Sequence, residues 1–215
     1  MRKFLGSILR AFKAFDYSRS NRNRIARAKK ILANQEQPYS LHLGCGAVHY
    51  DGWLNIDFGG GPAVDLELDL TWPLPFENDS CGLIYSEHLL EHFDAPDGVN
   101  LLKECYRVLK PGGVIRVAMP SLDYLIESSY EGSWKAADWL SWPEFNHIST
   151  RAEMLNIVFR SWGHQWLYDR EELHRRFNES GFVTIIDCQW GESSLPQLSN
   201  REKRKDSILV CEAIK

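Results

Sequence analysis

The chain has 215 residues, enough for one domain with a sizeable core, and its 44% apolar and 25% charged residues are an ordinary globular composition that excludes a disordered or low-complexity protein. Residues 1–37 carry ten Lys or Arg against Asp16 and Glu36, a net of +8, which leaves 15 basic and 27 acidic residues, a net of −12, for the remainder. An acidic body excludes a duplex-binding surface, because phosphate neutralisation needs a basic face, and five scattered cysteines (Cys45, Cys81, Cys105, Cys188, Cys211) with no Cys-x-x-Cys pair exclude a disulfide framework and fit a reducing compartment.

In MRKFLGSILRAFKAF the residues Phe4, Leu5, Ile8, Leu9, Phe12 and Phe15 fall on one helical face, with most of the basic residues elsewhere. Such a basic amphipathic helix suits an anionic membrane surface, or packing on the protein's own domain or on a dimer mate. No apolar run reaches the ~18 residues that span a bilayer, and Arg10 and Lys13 interrupt the opening stretch, unlike a signal peptide; the protein reads as cytoplasmic, with peripheral membrane contact through its arm. After a polar break at SRSNRNR, RIARAKKILANQ reads as a second helix ending before Pro38. The organisation is thus a basic arm over 1–37 and a domain over 38–215.

SLHLGCG reads as a strand breaking into a glycine turn, and WLNID as a second strand ending on a carboxylate. Glycines let a backbone approach a ligand, and an acid at the tip of the next strand can accept both hydroxyls of a ribose. VDLELDL is a strand with acidic interruptions, and its Asp69 is either a turn residue or an acceptor for an adenine amine. CGLIYS is an apolar strand, DGVNLLKECYRVLK a helix ended by Pro-Gly-Gly, and VIRVAMP a further strand.

YSEHLLEHF contains His-x-x-Glu-His. On a helix His88 and His92 lie one turn apart with Glu91 beside them, a spacing that can hold zinc, given a third ligand from His147, His164 or Glu171. A zinc-dependent hydrolase is therefore one reading, and a noncatalytic cofactor-fold module another.

The ordered set LHLGCG, WLNID, LDLTWPLPF, IYSEHLLEH and LLKECYRVLKPGGVIRVAMP resembles the class I S-adenosylmethionine-dependent methyltransferases, as a compact member of the type 11 kind. The resemblance implies an α/β, Rossmann-like, mostly parallel seven-stranded sheet with an antiparallel final strand, and the donor at the carboxyl ends of the first strands. It implies Gly44, Cys45 and Gly46 near the methionine part, Asp57 at the ribose, Asp69 and Leu70 at the adenine, and Ser86 at the methionyl end. Only ten residues separate Gly46 from Asp57, and FGGGPAV follows, so the helices after strands 1 and 2 are reduced; RIARAKKILANQ is the expected cover for the sheet face they leave. In this reading no metal is expected.

Trp134, Trp139, Trp142, Trp162 and Trp166 cluster in an aromatic-rich insertion at about 130–167, either a lid over a flat acceptor or a satellite core. DREELHRRFNESGF then reads as a helix, and VTIIDCQW and SILVCEAIK as the last strands. A hydroxyl acceptor calls for a base, and His88, His92 and His164 are the expected ones. EHLLEH with a late WGHQWLYD resembles members associated with surface-polysaccharide and lipid-linked glycan biosynthesis, which implies a glycan or glycolipid acceptor, with no nucleic acid partner.

Overall fold

The computed structural model describes residues 19–215, so the basic amphipathic helix expected over 1–15 lies outside the described residues. The elements in chain order are helix α1 (19–32), β1 (Tyr39–Leu43), β2 (Leu54–Asp57), β3 (Leu66–Glu67), β4 (Cys81–Glu87), α2 (Ala95–Val108), β5 (Leu109–Met119), α3 (Leu122–Glu131), α4 (Arg151–Arg160), α5 (Arg170–Glu179), β6 (Thr184–Asp187) and β7 (Leu209–Ile214). The seven strands form one sheet in the order β3-β2-β1-β4-β5-β7-β6. Every neighbouring pair is parallel except the two made by β7, which runs antiparallel to both β5 and β6. This is the expected Rossmann-like arrangement with an antiparallel final strand.

Alternation along the strands divides the side chains cleanly. Leu41, Leu43, Leu54, Ile56, Leu66, Ile84, Ile115 and Val117 point to one face, where they join Leu101, Leu102, Cys105 and Val108 of α2 and Leu173 and Phe177 of α5 in the main core. Helix α2 starts where Asp94 accepts the Asp97 N–H at 2.9 Å, and α5 starts the same way at Asp169. The Pro-Gly-Gly expected to separate helix from strand instead lies within β5, which begins at Leu109 directly after α2; Lys110, Pro111 and Gly112, the last at φ +76°, make an exposed bend there before the buried Gly113. A side chain at Gly113 would put its Cβ 2.8 Å from the Lys110 carbonyl, which is why the bend needs glycine.

The three crossovers from β1 to β4 contain no helix, which extends the reduction expected after strands 1 and 2 to the connection after β3. Helix α1 fills part of the gap. Ala28 and Leu32 are buried in the main core, the Tyr39 hydroxyl reaches the Leu32 carbonyl at 3.5 Å, and Arg24 pairs with Glu67 of β3 at 2.7 Å. Two expectations are corrected here. Residues 19–24 of SRSNRNR are helical and not a break. The helix also covers the face shared with α2 and α5, not the one left by the helices missing after β1 and β2, whose right-handed crossovers would lie on the opposite side.

That opposite face is closed by loops. Tyr50 and Trp53 from the β1–β2 connection and Leu198 from the β6–β7 connection pack on Tyr85 and Val114. The face is unusually polar. His42 donates through Nδ1 to Asn55 Oδ1 at 3.1 Å, and Asn55 binds Asp65 Oδ2 through both its backbone and its side-chain nitrogen, each at 2.8 Å. Arg116, fully buried on β5, pairs with Glu202 at 2.6 Å and Glu212 at 2.8 Å and donates to the Glu192 and Gln189 carbonyls. One guanidinium thereby ties the 189–202 segment to the sheet, and its hydrogen bonds offset the several kcal/mol that burying each ion costs.

Candidate active site

The carboxyl ends of β1 and β2 meet in a hydrogen-bonded glycine turn. Gly44 and Gly46 adopt φ of +67° and +53°, a region that favours glycine. The Gly46 N–H donates to Asp57 Oδ2 at 2.8 Å, the Gly59 N–H reaches Asp57 Oδ1 at 3.2 Å, and the Cys45 N–H reaches the Ile56 carbonyl at 3.1 Å. A Cβ on Gly46 would meet nothing within 4 Å, so this edge opens on free space, whereas one on Gly44 would lie 2.8 Å from Leu89 Cδ1. Cys45 is buried, and burial, then the Asp57 charge, pushes its thiol up to about 11, so it serves as packing and not as a nucleophile.

Asp69 and Leu70, both buried, follow β3. Asp69 Oδ1 accepts the Thr71 N–H at 3.0 Å and the Thr71 hydroxyl at 2.7 Å, the turn-forming role that its sequence context allowed. Ser86 is buried on β4 opposite Leu43, one residue before Gly44 in the adjacent strand.

The His-x-x-Glu-His segment is not the helix that its spacing suggests. The pairing with β5 continues past β4, because the His88 N–H bonds the Ala118 carbonyl at 3.0 Å, and His88 adopts φ +50°. Only Leu90–His92 form a 3-10 turn. The two histidines therefore have different neighbours. His88 Nδ1 stands 3.4 Å from Glu91 Oε1 and its Nε2 stands 3.5 Å from Asp206, whereas the His92 ring meets His164 edge to face with centroids 5.1 Å apart. Of the third ligands considered for zinc, His147 and Glu171 are exposed on the surface and only His164 reaches the segment.

Burial governs the protonation of this cluster. Glu91 is almost wholly buried, which pushes its carboxyl up to about 7 against the opposing charge of His88. His92 is pushed down to about 4 by burial and then by His164 and His88. Burial also lowers His164, against the Val158 carbonyl, to which its Nδ1–H donates at 2.7 Å.

The five insertion tryptophans divide by neighbourhood. Trp134 is buried with Met154 and Val158 in a satellite core. Trp139, Phe145 and Trp162 form a set of edge-to-face rings that continues through Trp162 to His164, with Trp142 half exposed beside Phe145. Trp166, four residues before α5, is tied to that helix by donating to Glu172 at 3.0 Å. Satellite core and ring wall thus coexist. The segment is fastened to the His88–His92 edge by Gln165 and Trp166, whose N–H groups bond the Glu91 carbonyl at 2.8 and 3.2 Å, and by the Gln165 side chain on the His92 carbonyl at 2.7 Å.

Two acids escaped sequence reasoning. Glu87 accepts the Lys203 and Arg204 N–H groups and the Ser207 hydroxyl, which holds the β6–β7 connection over the edge and brings Asp206 to His88. Asp206 sits in a charged run remote in sequence and carried no signal. Glu91 was read only as a companion of zinc, although its apolar neighbours Leu89 and Leu90 indicated burial.

Residues 61–117 match the family model described as a methyltransferase domain. No curated protein matches the sequence significantly. Among solved structures, a SAM-dependent methyltransferase from Archaeoglobus fulgidus aligns over 94% of this chain and 99% of its own at 13% identity, with a TM-score of 0.52. A SAM-dependent methyltransferase from Thermotoga maritima aligns over 89% and 87% at 14% identity with a TM-score of 0.47, and PigF with SAH over 83% and 51% at 16% identity with a TM-score of 0.48. At such identities the likeness is one of fold. The mostly parallel seven-stranded sheet with one antiparallel strand is the Rossmann-like fold shared with those structures, and the family match covers its middle, from the β2–β3 connection into β5. What the comparisons give this chain is therefore a methyltransferase-domain match over its middle and the fold of S-adenosylmethionine-dependent methyltransferases of known structure.

Proposed function

We propose that the chain transfers the methyl group of S-adenosylmethionine to an oxygen, a hydroxyl or acidic group, of a glycan or glycolipid intermediate. The observation that carries this reading is the packing of Leu89 against Gly44, which joins the glycine turn to the His88–His92 segment at one end of the sheet. The residues fit the donor: the space above Gly46 admits a ligand, and Asp57, whose oxygens each retain a free lone pair beyond one backbone N–H, can accept ribose hydroxyls. Gly44, Cys45 and Gly46 would line the methionine part, Asp69 and Leu70 the adenine, and Ser86 the methionyl end.

When bound, the donor supplies a sulfonium methyl whose carbon takes the acceptor oxygen's electron pair as its bond to sulfur breaks, leaving a neutral thioether. The chain's own residues orient the acceptor, keep water out and receive the hydroxyl proton. His88, His92 and His164 are the side chains on this edge suited to receive it. The exposed faces of Trp142 and Trp162 beside them suit a sugar ring. The acidic body disfavours nucleic acid, and the basic stretch at 1–15 suits a cytoplasmic membrane surface where lipid-linked glycans are assembled. No described helix is long and apolar enough to cross a membrane.

Transfer of labelled methyl from the donor into a fractionated cell extract tests the acceptor. Label in polysaccharide or lipid-linked sugar is the expected result; label confined to protein or RNA contradicts it.

A further inference from the structure

We infer that Glu91, His92 and His164 hold a divalent transition-metal cation at the acceptor end of the site. The inference rests on the methyl-transfer reading for its role, but not for its geometry. One ligand atom from each of the three side chains lies within 4.8 Å of the others. A carboxylate with two imidazoles is a donor set that suits zinc, cobalt, manganese or iron.

Three features separate this cluster from a chance meeting of polar groups. The first is Glu91 itself: it is 1% exposed, and neither carboxylate oxygen has a hydrogen-bond partner among the described residues. Its backbone carbonyl is fully engaged by Gln165 and Trp166, so the local structure satisfies the main chain and leaves the buried carboxylate pointing at a deficit. His88 Nδ1 stands 3.4 Å from Oε1, an ion-pair distance without a hydrogen bond. The second feature is the orientation of His164. Its Nδ1–H is committed to the Val158 carbonyl at 2.7 Å, which fixes the tautomer and leaves Nε2 with its lone pair free, the arrangement that a backbone carbonyl gives a metal-binding imidazole. The third is the backbone around them. Trp162 and Gly163 both adopt positive φ, and the position of a Gly163 Cβ lies 3.5 Å from His92 Nδ1, so a tight bend presses the lid segment against one edge of the His92 ring.

The set differs from the one that the His-x-x-Glu-His spacing suggests. That spacing offers His88 and His92 as ligands with Glu91 as base, and an expectation of no metal followed from its weakness. Here Glu91 becomes a ligand, the third ligand comes from the insertion, and His88 is left outside the set. A cation so placed would bind the acceptor's hydroxyl oxygen and acidify it. With His92 and His164 occupied as ligands, the proton would pass to His88 alone of the three histidines, and the oxygen's electron pair would then be available to the methyl carbon.

The test uses the full chain, free of any affinity tag and stripped with chelator, titrated with Zn²⁺ and with Co²⁺ as a spectroscopic probe, with Mg²⁺ as comparison. One equivalent of Zn²⁺ or Co²⁺ per chain is expected, with the visible absorption of a low-coordinate cobalt site. Glu91→Gln, His92→Gln and His164→Ala should each weaken binding by more than the roughly 10- to 100-fold that loss of a supporting group costs. His174→Ala, which opens the other possible donor cluster of His174, Asp187 and Cys211, should leave it unchanged. Melting temperature and donor affinity, measured on the same samples, report whether each variant folds; His164→Ala, on the half-buried lid, keeps the test decisive if the buried Glu91→Gln does not. Absence of stoichiometric binding, or binding lost with His174→Ala and retained with His164→Ala, overturns the inference. Donor binding without metal binding rejects this inference and leaves the methyltransferase reading intact, while metal binding without donor binding does the reverse.

Discussion

The Gly46 N–H donates to Asp57 Oδ2 at 2.8 Å, so the glycine turn after β1 and the acid ending β2 form one hydrogen-bonded unit. Ten residues join them without a helix. In place of a helix N-terminus, the carboxylate itself orders the turn. In the donor-binding role proposed for Asp57, one side chain would serve both structure and recognition.

Two of the glycines at positive φ here, Gly44 before this connection and Gly52 within it, differ in a testable way. Gly44→Ala meets both the left-handed backbone penalty of about 1–2 kcal/mol and a clash 2.8 Å from Leu89 Cδ1. Gly52→Ala, at φ +77° with nothing within 4 Å, meets the backbone penalty alone. Urea denaturation should show the larger loss for Gly44→Ala, and donor affinity should fall in that variant only. Equal losses with unchanged affinity in both would detach Leu89 from the cofactor edge.

Arg116→Met should cost about 3–5 kcal/mol, because it leaves Glu202 and Glu212 buried without their cation. Replacing all three by apolar residues should recover much of that loss. Chemical denaturation of the single and triple variants checks both statements.

Leu32→Ala should cost about 2–5 kcal/mol, the range for a buried leucine. Deleting residues 1–37 should therefore lower the melting temperature by more than deleting 1–18 does. Equal melting temperatures for the two truncations would show that α1 contributes nothing to the sheet's stability.

Glu104 is held below the usual carboxylate range by its hydrogen bond to Arg107, against partial burial and aided by the Leu74 N–H. A depressed carboxyl contributes stability that is present above the ordinary value of 4.5 and lost as pH falls through the folded one. Glu104→Gln should be less stable than the parent at pH 7, and the gap should narrow below about pH 4.5. Urea midpoints at pH 7, 4 and 3 decide it; a gap independent of pH contradicts the assignment.

The strands and α2 were legible because their signals are local: apolar alternation in SLHL and LIYS, and helical spacing in NLLKECYRVL, although the helix starts at Ala95 behind the Asp94 cap, two residues before the stretch read as helical. What the sequence could not supply was choice between faces. Ala28 and Leu32 mark an amphipathic helix, but nothing in that pattern says whether it covers the side bearing Leu41 or the side bearing His42. The His88 segment misled for a related reason. Helical spacing was present, yet the His88 N–H is taken by Ala118, and a residue still in the sheet cannot begin a helix. Asp206 reaches His88 only through the folding of the β6–β7 connection, and no local pattern encodes that.

The most direct measurement is calorimetric titration of the full chain with S-adenosylmethionine and with its demethylated product, alongside Asp57→Ala. The parent should bind with one site per chain, and the variant should lose roughly 1.5–3 kcal/mol of binding free energy, the value of a charge-assisted hydrogen-bond pair. Binding to the parent that is unchanged in Asp57→Ala, in a variant that melts like the parent, would contradict the placement of the donor at the glycine turn.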